Sequence, residues 1–370
     1  MSLSFSEERE ELRAVVRSFL EASSPESTVR TLMETADGYD PRAWEVMGGQ
    51  LGLQGLALPE EYGGAGFGFA ELGVVFEEMG RVVFGSPFLA TVLAGQAILR
   101  IGDDRAAADL LPGIASGETI ATLAVQEANG DWDEAAGTTR ATASADGWRI
   151  EGTKMFVLDG CAADLLVVAA RTGAGVGLFT VDAAALGLRR TPLATLDQTR
   201  KQARVDFDHV SARLLGAEGQ GAAVVEQMRQ LAVVALAAEQ AGGAARVLDM
   251  AVAYAGTRMQ FGRPIGSFQA IKHTCADVLI EVESARSAAY QAVAAAAAGD
   301  PELPLVASLA AAYCSDAYVH AAAANIQIHG GIGFTWEHSA HLFYKRATSS
   351  RLMFGDPASH RERVARLLPV

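Results

Sequence analysis

Three blocks of differing periodicity predict an α+β fold: helical spacing to about residue 118, short β-prone runs over 119–213, and long helical periods from 214 onward. Half of the 370 residues are apolar and a fifth are charged, so the chain can bury a large core. The expected organisation is a helical domain over 1–118, a middle antiparallel β-domain over 119–213 and a helical domain over 214–370.

The first block starts at Ser6, and Leu12, Val15, Val16, Phe19 and Leu20 recur at the spacing of one helix face. Residues 59–68, PEEYGGAGFG, break that pattern with four glycines and read as a loop. Helical spacing resumes at Leu72, Val75, Phe76 and Met79. A dinucleotide-binding glycine loop would need a preceding strand inside a βαβ unit, and this one has helical patterns on both sides.

The second block offers strands at 119–125, 148–158, 165–171, 177–182 and 202–210, separated by Gly, Asp and Ala turns. In the third block the most apolar run, 231–256, contains Glu239, Arg246 and Asp249. That charge argues against a membrane span of about 20 residues and for a buried helix. The Ala-rich tract 287–298 reads as another closely packed helix.

A formal net charge of -14 opposes phosphate backbones and anionic lipid surfaces, so neither nucleic acid nor membrane is an expected partner. Cys161, Cys275 and Cys314 lie far apart without metal or redox spacing and read as packing residues in a reducing compartment. The first 21 residues carry charges at every turn rather than a signal-peptide core. A cytoplasmic location is the expectation.

Two segments carry chemistry. In RMQFGRPIGSFQ, residues 258–269, Pro264 and Gly266 make a rigid turn from which Arg258, Gln260 and Gln269 offer planar hydrogen-bond donors suited to a phosphate or a ring edge. In QIHGGIGF, residues 327–334, Gly330, Gly331 and Gly333 bare the backbone for an anion. His329 has no Cys or carboxylate at ligand spacing, so it reads as a packing or hydrogen-bonding residue and no metal is expected.

Together with PEEYGGAG at 59–66, GTKMFVLDGCAAD at 152–164 and ART at 170–172, these segments resemble the acyl-CoA dehydrogenase family in order and spacing. The resemblance covers nearly the whole chain. It implies an amino-terminal helical domain, a middle β-domain and a carboxy-terminal four-helix bundle, assembled as a dimer or dimer of dimers. It also implies FAD, an acyl-CoA substrate oxidised to a 2-enoyl thioester, and an electron-transferring flavoprotein as acceptor. Arg258, Gln260, Phe268 and Gln269, with Gln327 to Gly331, would contact the diphosphate and adenosine of a flavin held mainly by a neighbouring subunit.

The same resemblance exposes departures. The family's general base is usually a Glu 27 residues beyond the Gln of the second segment, and Phe354 stands there. Some members place it 26 residues before the Arg of the first segment, where this chain has Ala232. Glu239 lies on that helix, displaced by about 10 Å along its axis, and reads as a helix-packing or polar-network residue before a base, while Asp356 lies two residues past Phe354. Phe156-Val157-Leu158 replaces the family's Trp-Ile-Thr, and Gln126-Glu127-Ala128 replaces Thr-Glu-Pro. Three readings stay open: a homomeric enzyme with an unlocated base, the base-lacking subunit of a heteromeric enzyme, and a non-catalytic acyl-CoA-binding or scaffold protein.

Overall fold

The computed structural model describes residues 7–130, 132, 137–145 and 147–368. Ser6, the expected start of the first helical pattern, lies outside them. Helices α1 (Glu7–Ser23), α2 (Glu26–Met33), α3 (Pro41–Gly49), α4 (Phe69–Arg81), α5 (Phe88–Arg100) and α6 (Asp104–Ser116) form the first block. In α1 the predicted stripe is narrower than expected, since Val16 and Leu20 are buried while Val15 is exposed. Residues 59–68 form the expected loop, entered by a single 3-10 turn over Glu60–Tyr62.

Strands β1 (Ala121–Ala124), β2 (Arg140–Ser144), β3 (Gly147–Leu158), β4 (Leu165–Thr172), β5 (Gly175–Asp182), β6 (Leu188–Pro192) and β7 (Gln202–Leu215) follow. The sheet is largely antiparallel, but β1 runs parallel to β4 and β2 meets β4 in one parallel pair, which corrects the purely antiparallel expectation. β4 also pairs with β5, and β5 with β7, so the path β4-β2-β3-β7-β5 closes on itself. Leu166, Val168, Phe179, Val205 and Val210 fill one hydrophobic cluster there. β4 is buried over six consecutive residues rather than alternately, as expected of a central strand with both faces covered. β2 and β6 carry mostly exposed side chains, Arg-rich in β6, and so give no apolar alternation to read.

Helices α7 (Gly221–Thr257), α8 (Gln269–Ala298), α9 (Leu303–His329), α10 (Ala340–Ser350) and α11 (Pro357–Leu367) complete the chain. Val247 and Leu248 of α7, Val278 and Val282 of α8, Tyr318 and Ala322 of α9, and Phe343 and Ala347 of α10 share one core, which makes these four helices a bundle. α7 is nevertheless long and apolar enough to cross a membrane by length and composition, so its charges alone do not exclude a span. Burial accounts for that apolar character, because 89% of its most apolar stretch lies inside the protein. α4 crosses α7 at backbone contact: a Cβ at Gly242 would lie 1.8 Å from the Glu77 carbonyl oxygen.

Two compact units emerge. One contains residues 1–30, 69–84 and 233–370, and is built on α1, α4 and the bundle. Within it Arg13 bridges Glu77 and Glu78 at 2.8 Å each, and the Tyr290 hydroxyl donates to Glu77, tying α1, α4 and α8 together. The other unit contains residues 31–68 and 85–232, with α3, α5, α6 and the sheet. The three cysteines are free thiols, and Cys314 is wholly buried with its thiol donating to the Ala285 carbonyl, as a packing role requires.

Candidate functional site

Beyond α7 the chain reverses in a two-residue hairpin, in which Met259–Gln260 (β8) pairs with Arg263–Pro264 (β9). Phe261 and Gly262 at its tip both have positive φ, 51° and 76°, which matches the right-handed twist of paired strands. The Ile265 N–H donates to the Arg258 carbonyl at 2.8 Å and closes the turn. The Arg263 guanidinium lies 4.1 Å over the Phe268 ring, and Phe261 meets the same ring edge-on at 6.0 Å. Phe268 is therefore a platform for the hairpin. The side chains of Arg258, Gln260 and Gln269 are exposed and, among the described residues, make no hydrogen bond or ion pair.

The second segment ends α9. Gly330 adopts φ 67° and ψ -144°, a conformation open to glycine but strained for other residues. A Cβ at Gly330 or Gly331 would meet nothing within 4 Å, so the bare backbone faces open space. Gln327, Gly330 and Gly331 are exposed. His329 is buried, pairs through Nδ1 with the Asn325 carbonyl at 2.8 Å, and lies between the Tyr254 ring at 4.2 Å and the His338 ring at 4.3 Å. That is the packing and hydrogen-bonding role expected of it.

Tyr254 precedes Arg258 by one helical turn, so the Tyr254–His329 stack joins the end of α7 to the end of α9. Ile328, Ala251 and Ala255 form a small core beneath, against which Ile265 and Ile271 pack. The structure thus brings the Arg258 turn, the start of α8 and the Gln327–Gly331 segment to one end of the bundle. Sequence reading missed Tyr254; its only signal is its place one turn before the arginine.

The family's base positions and their neighbours are placed differently. Phe354 is 5% exposed and has φ 59°, an unusual backbone for a bulky residue. Ala232 is completely buried. Glu239 is buried too, and its Oε1 accepts from Arg346 Nη1 at 2.9 Å, with both side chains nearly inaccessible. Glu239 is thus one half of a buried ion pair, the polar-network role set against its candidacy as a base. Asp356 caps α11 by accepting the Ser359 N–H at 2.7 Å, which pulls its carboxyl below the ordinary value.

In the sheet unit a bulge in β3 between Lys154 and Val157 puts Phe156 at φ 56° and leaves its ring 38% exposed while Val157 turns inward. The Gln126 amide is spent on the Gly130 carbonyl at 2.8 Å. Glu127 accepts the Thr138 and Thr139 N–H groups at 2.7 and 2.8 Å and faces the fully buried Lys154 ammonium at 3.1 Å. Lys154 also donates to the Val125 carbonyl at 2.8 Å. Burial alone would raise the Glu127 carboxyl, but the two N–H donors and the Lys154 charge outweigh it and hold it at about 2. Burial pulls Lys154 down to about 8, with Glu127 offsetting part of the shift. This pair was not foreseen, although both residues lie in segments singled out from the sequence.

The comparisons agree with this architecture. The acyl-CoA dehydrogenase N-terminal domain model matches residues 6–118, and the C-terminal domain model matches residues 219–368. Acyl-CoA dehydrogenase IpdE2 of Mycolicibacterium smegmatis is 35% identical over 363 residues, covering 98% of each chain. Among solved structures, a variant of the Tcur3481-Tcur3483 steroid ACAD is 33% identical with a TM-score of 0.88, over 98% of this chain and 97% of that one. A chain of the ChsE4-ChsE5 complex from Mycobacterium tuberculosis is 28% identical with a TM-score of 0.91 over the full length of both. With a shared helix–sheet–bundle order and matches at both ends, the chain belongs to the acyl-CoA dehydrogenase family of flavoprotein oxidoreductases acting on acyl-CoA.

Proposed function

We propose that this chain is the base-lacking subunit of a heteromeric, FAD-dependent acyl-CoA dehydrogenase. In this reading it lends Arg258, Gln260, Gln269, Gln327, Gly330 and Gly331 to the diphosphate and adenosine of a flavin seated mainly in a second family member. Phe268 supports the hairpin that presents Arg258. The observation that carries the reading is an asymmetry. A buried Phe354 and a buried Ala232 stand where the family places its base, whereas the side chains of Arg258, Gln260, Gln269 and Gln327 at the end of the bundle are exposed and, among the described residues, uncommitted.

The residues present suit a dinucleotide at that end. Arg258 offers a fixed fork of N–H donors to a phosphate, and Gly330 and Gly331 leave their backbone open to close approach. The chain's own β-domain suits a flavin less well, because Gln126 and Glu127 are bound internally and Leu158 carries no hydroxyl. FAD held by these residues would supply the hydride acceptor for the β-hydrogen of the thioester, and loss of the α-proton would require a base. A positioned base is worth about 10²–10⁴ in rate, so the partner subunit must supply it. Electron-transferring flavoprotein is the proposed acceptor. The heteromeric names Tcur3481-Tcur3483 and ChsE4-ChsE5 among similar structures support a paired assembly.

The test is the flavin content of the chain purified alone and together with a base-bearing family member. The expected outcome is little flavin alone, one flavin per two chains in the pair, and loss of that flavin in Arg258→Ala. A full flavin in every chain purified alone, bleached by an acyl-CoA, would overturn the proposal.

A further inference from the structure

In the bundle unit a cavity of about 280 Å³ opens between the α1–α2 junction, the end of α4, the middle of α7 and the start of α10. Its apolar walls include Val29, Val83, Met250 and Phe343. It is separate from the Arg258 site: Arg246, on its α7 side, precedes Arg258 by twelve residues, or about 18 Å of helix.

Two of its four charged lining residues are already matched. Arg81 is held by Asp249 at 3.0 Å, and Glu26 by Arg30 at 2.7 Å. The other two, Arg246 on α7 and Glu21 on α1, make no ion pair or side-chain hydrogen bond among the described residues, although the Arg17 charge acts on Glu21. Both are exposed and line a hollow whose remaining wall is apolar apart from Ser24, Ser339 and the paired Glu26 and Arg81.

One wall is also built against local preference. Val83 follows α4 with φ 53°, in the left-handed conformation where glycine usually ends a helix and a β-branched residue is strained. Its side chain is 2% exposed and lies in the bundle core as well as the cavity wall. A glycine there would relieve the backbone but remove that wall.

We propose that this cavity binds an apolar hydroxy acid, with its carboxylate on Arg246, its hydroxyl donating to Glu21 and its hydrocarbon body against Val29, Val83, Met250 and Phe343. An apolar hollow with a few convergent polar groups is the usual form of a small-molecule site. A cavity of about 150 Å³ accepts benzene, so this one suits roughly a dozen non-hydrogen atoms.

The test is calorimetric titration of the full chain, in complex with its partner subunit if the two purify together, with 10-hydroxydecanoate. The expected result is saturable binding, weakened about tenfold in Arg246→Gln and several-fold in Glu21→Gln, and abolished in Met250→Trp, which fills the hollow. Decanoate should lose only the Glu21 contribution, and 1,10-decanediol only that of Arg246. Thermal melting of each variant checks folding, and the two exposed-site variants remain informative if Met250→Trp fails to fold. No binding at millimolar ligand, or equal affinity in wild type, Arg246→Gln and Glu21→Gln, would overturn the proposal.

Discussion

Arg346 donates to Glu239 across 2.9 Å with both side chains almost fully buried, so this α7 carboxylate, seven residues beyond Ala232, is already committed. Removing either partner leaves the other charge stranded in the bundle, at a cost of about 3–5 kcal/mol. Replacing both by apolar residues of similar volume should cost less than either single change. Urea unfolding of Glu239→Gln, Arg346→Met and the double variant checks this. Normal stability with abolished turnover in Glu239→Gln would instead return that residue to a role in proton transfer.

Phe354 invites the substitution Phe354→Glu. The site is buried and its backbone is left-handed, so the new carboxylate loses the packing of the ring and enters an apolar setting. A stability loss of about 3 kcal/mol or more is expected. No acyl-CoA-dependent bleaching should appear in the chain purified alone, because Phe156 and Leu158 still replace the family's polar contacts. Flavin absorbance after acyl-CoA addition is the readout, and rapid bleaching would show that the base alone was missing.

Helix and strand blocks were legible because they are written in periodicity, as in the buried Val16–Leu20 face of α1 and the apolar run of β4. β2 and β6 escaped because their side chains are mostly exposed, so their pairing rests on backbone hydrogen bonds to β3 and β7. The two motif segments were found as short local patterns. Their meeting through Tyr254 and His329 was not, because a stack between distant residues leaves no spacing signal. The partner of Glu239 was hidden for the same reason: Arg346, which neutralises it, lies 107 positions away.

Glu127 and Lys154 predict opposite pH responses at the two ends of the scale. Glu127 is held at about 2 against an ordinary 4.5, so its stabilising contribution is present above 4.5 and is lost as pH falls toward 2. Lys154 is depressed to about 8 from 10.5, so the unfolded chain binds more protons between those values and this residue adds stability as pH rises from 8 to 10.5. Glu127→Gln should flatten the acid limb and destabilise the sheet unit by about 3 kcal/mol through the stranded Lys154. Lys154→Met should remove the alkaline rise. Denaturant midpoints across pH measure both, and an unchanged acid limb in Glu127→Gln would refute the assignment.

Gly330 and Gly331 separate backbone strain from ligand contact. Gly330→Ala forces a side chain onto φ 67° and ψ -144°, which should cost about 1–3 kcal/mol of stability whether or not flavin is present. At Gly331 φ is not positive, and an added methyl meets no atom within 4 Å, so Gly331→Ala should fold with unchanged stability. That methyl would nevertheless stand where a diphosphate approaches the backbone, so flavin retention in the paired enzyme should fall about tenfold or more. Thermal melting of the chain alone and flavin dissociation from the pair give the two readings. Full flavin retention in a stable Gly331→Ala would mean that the end of α9 does not touch the cofactor.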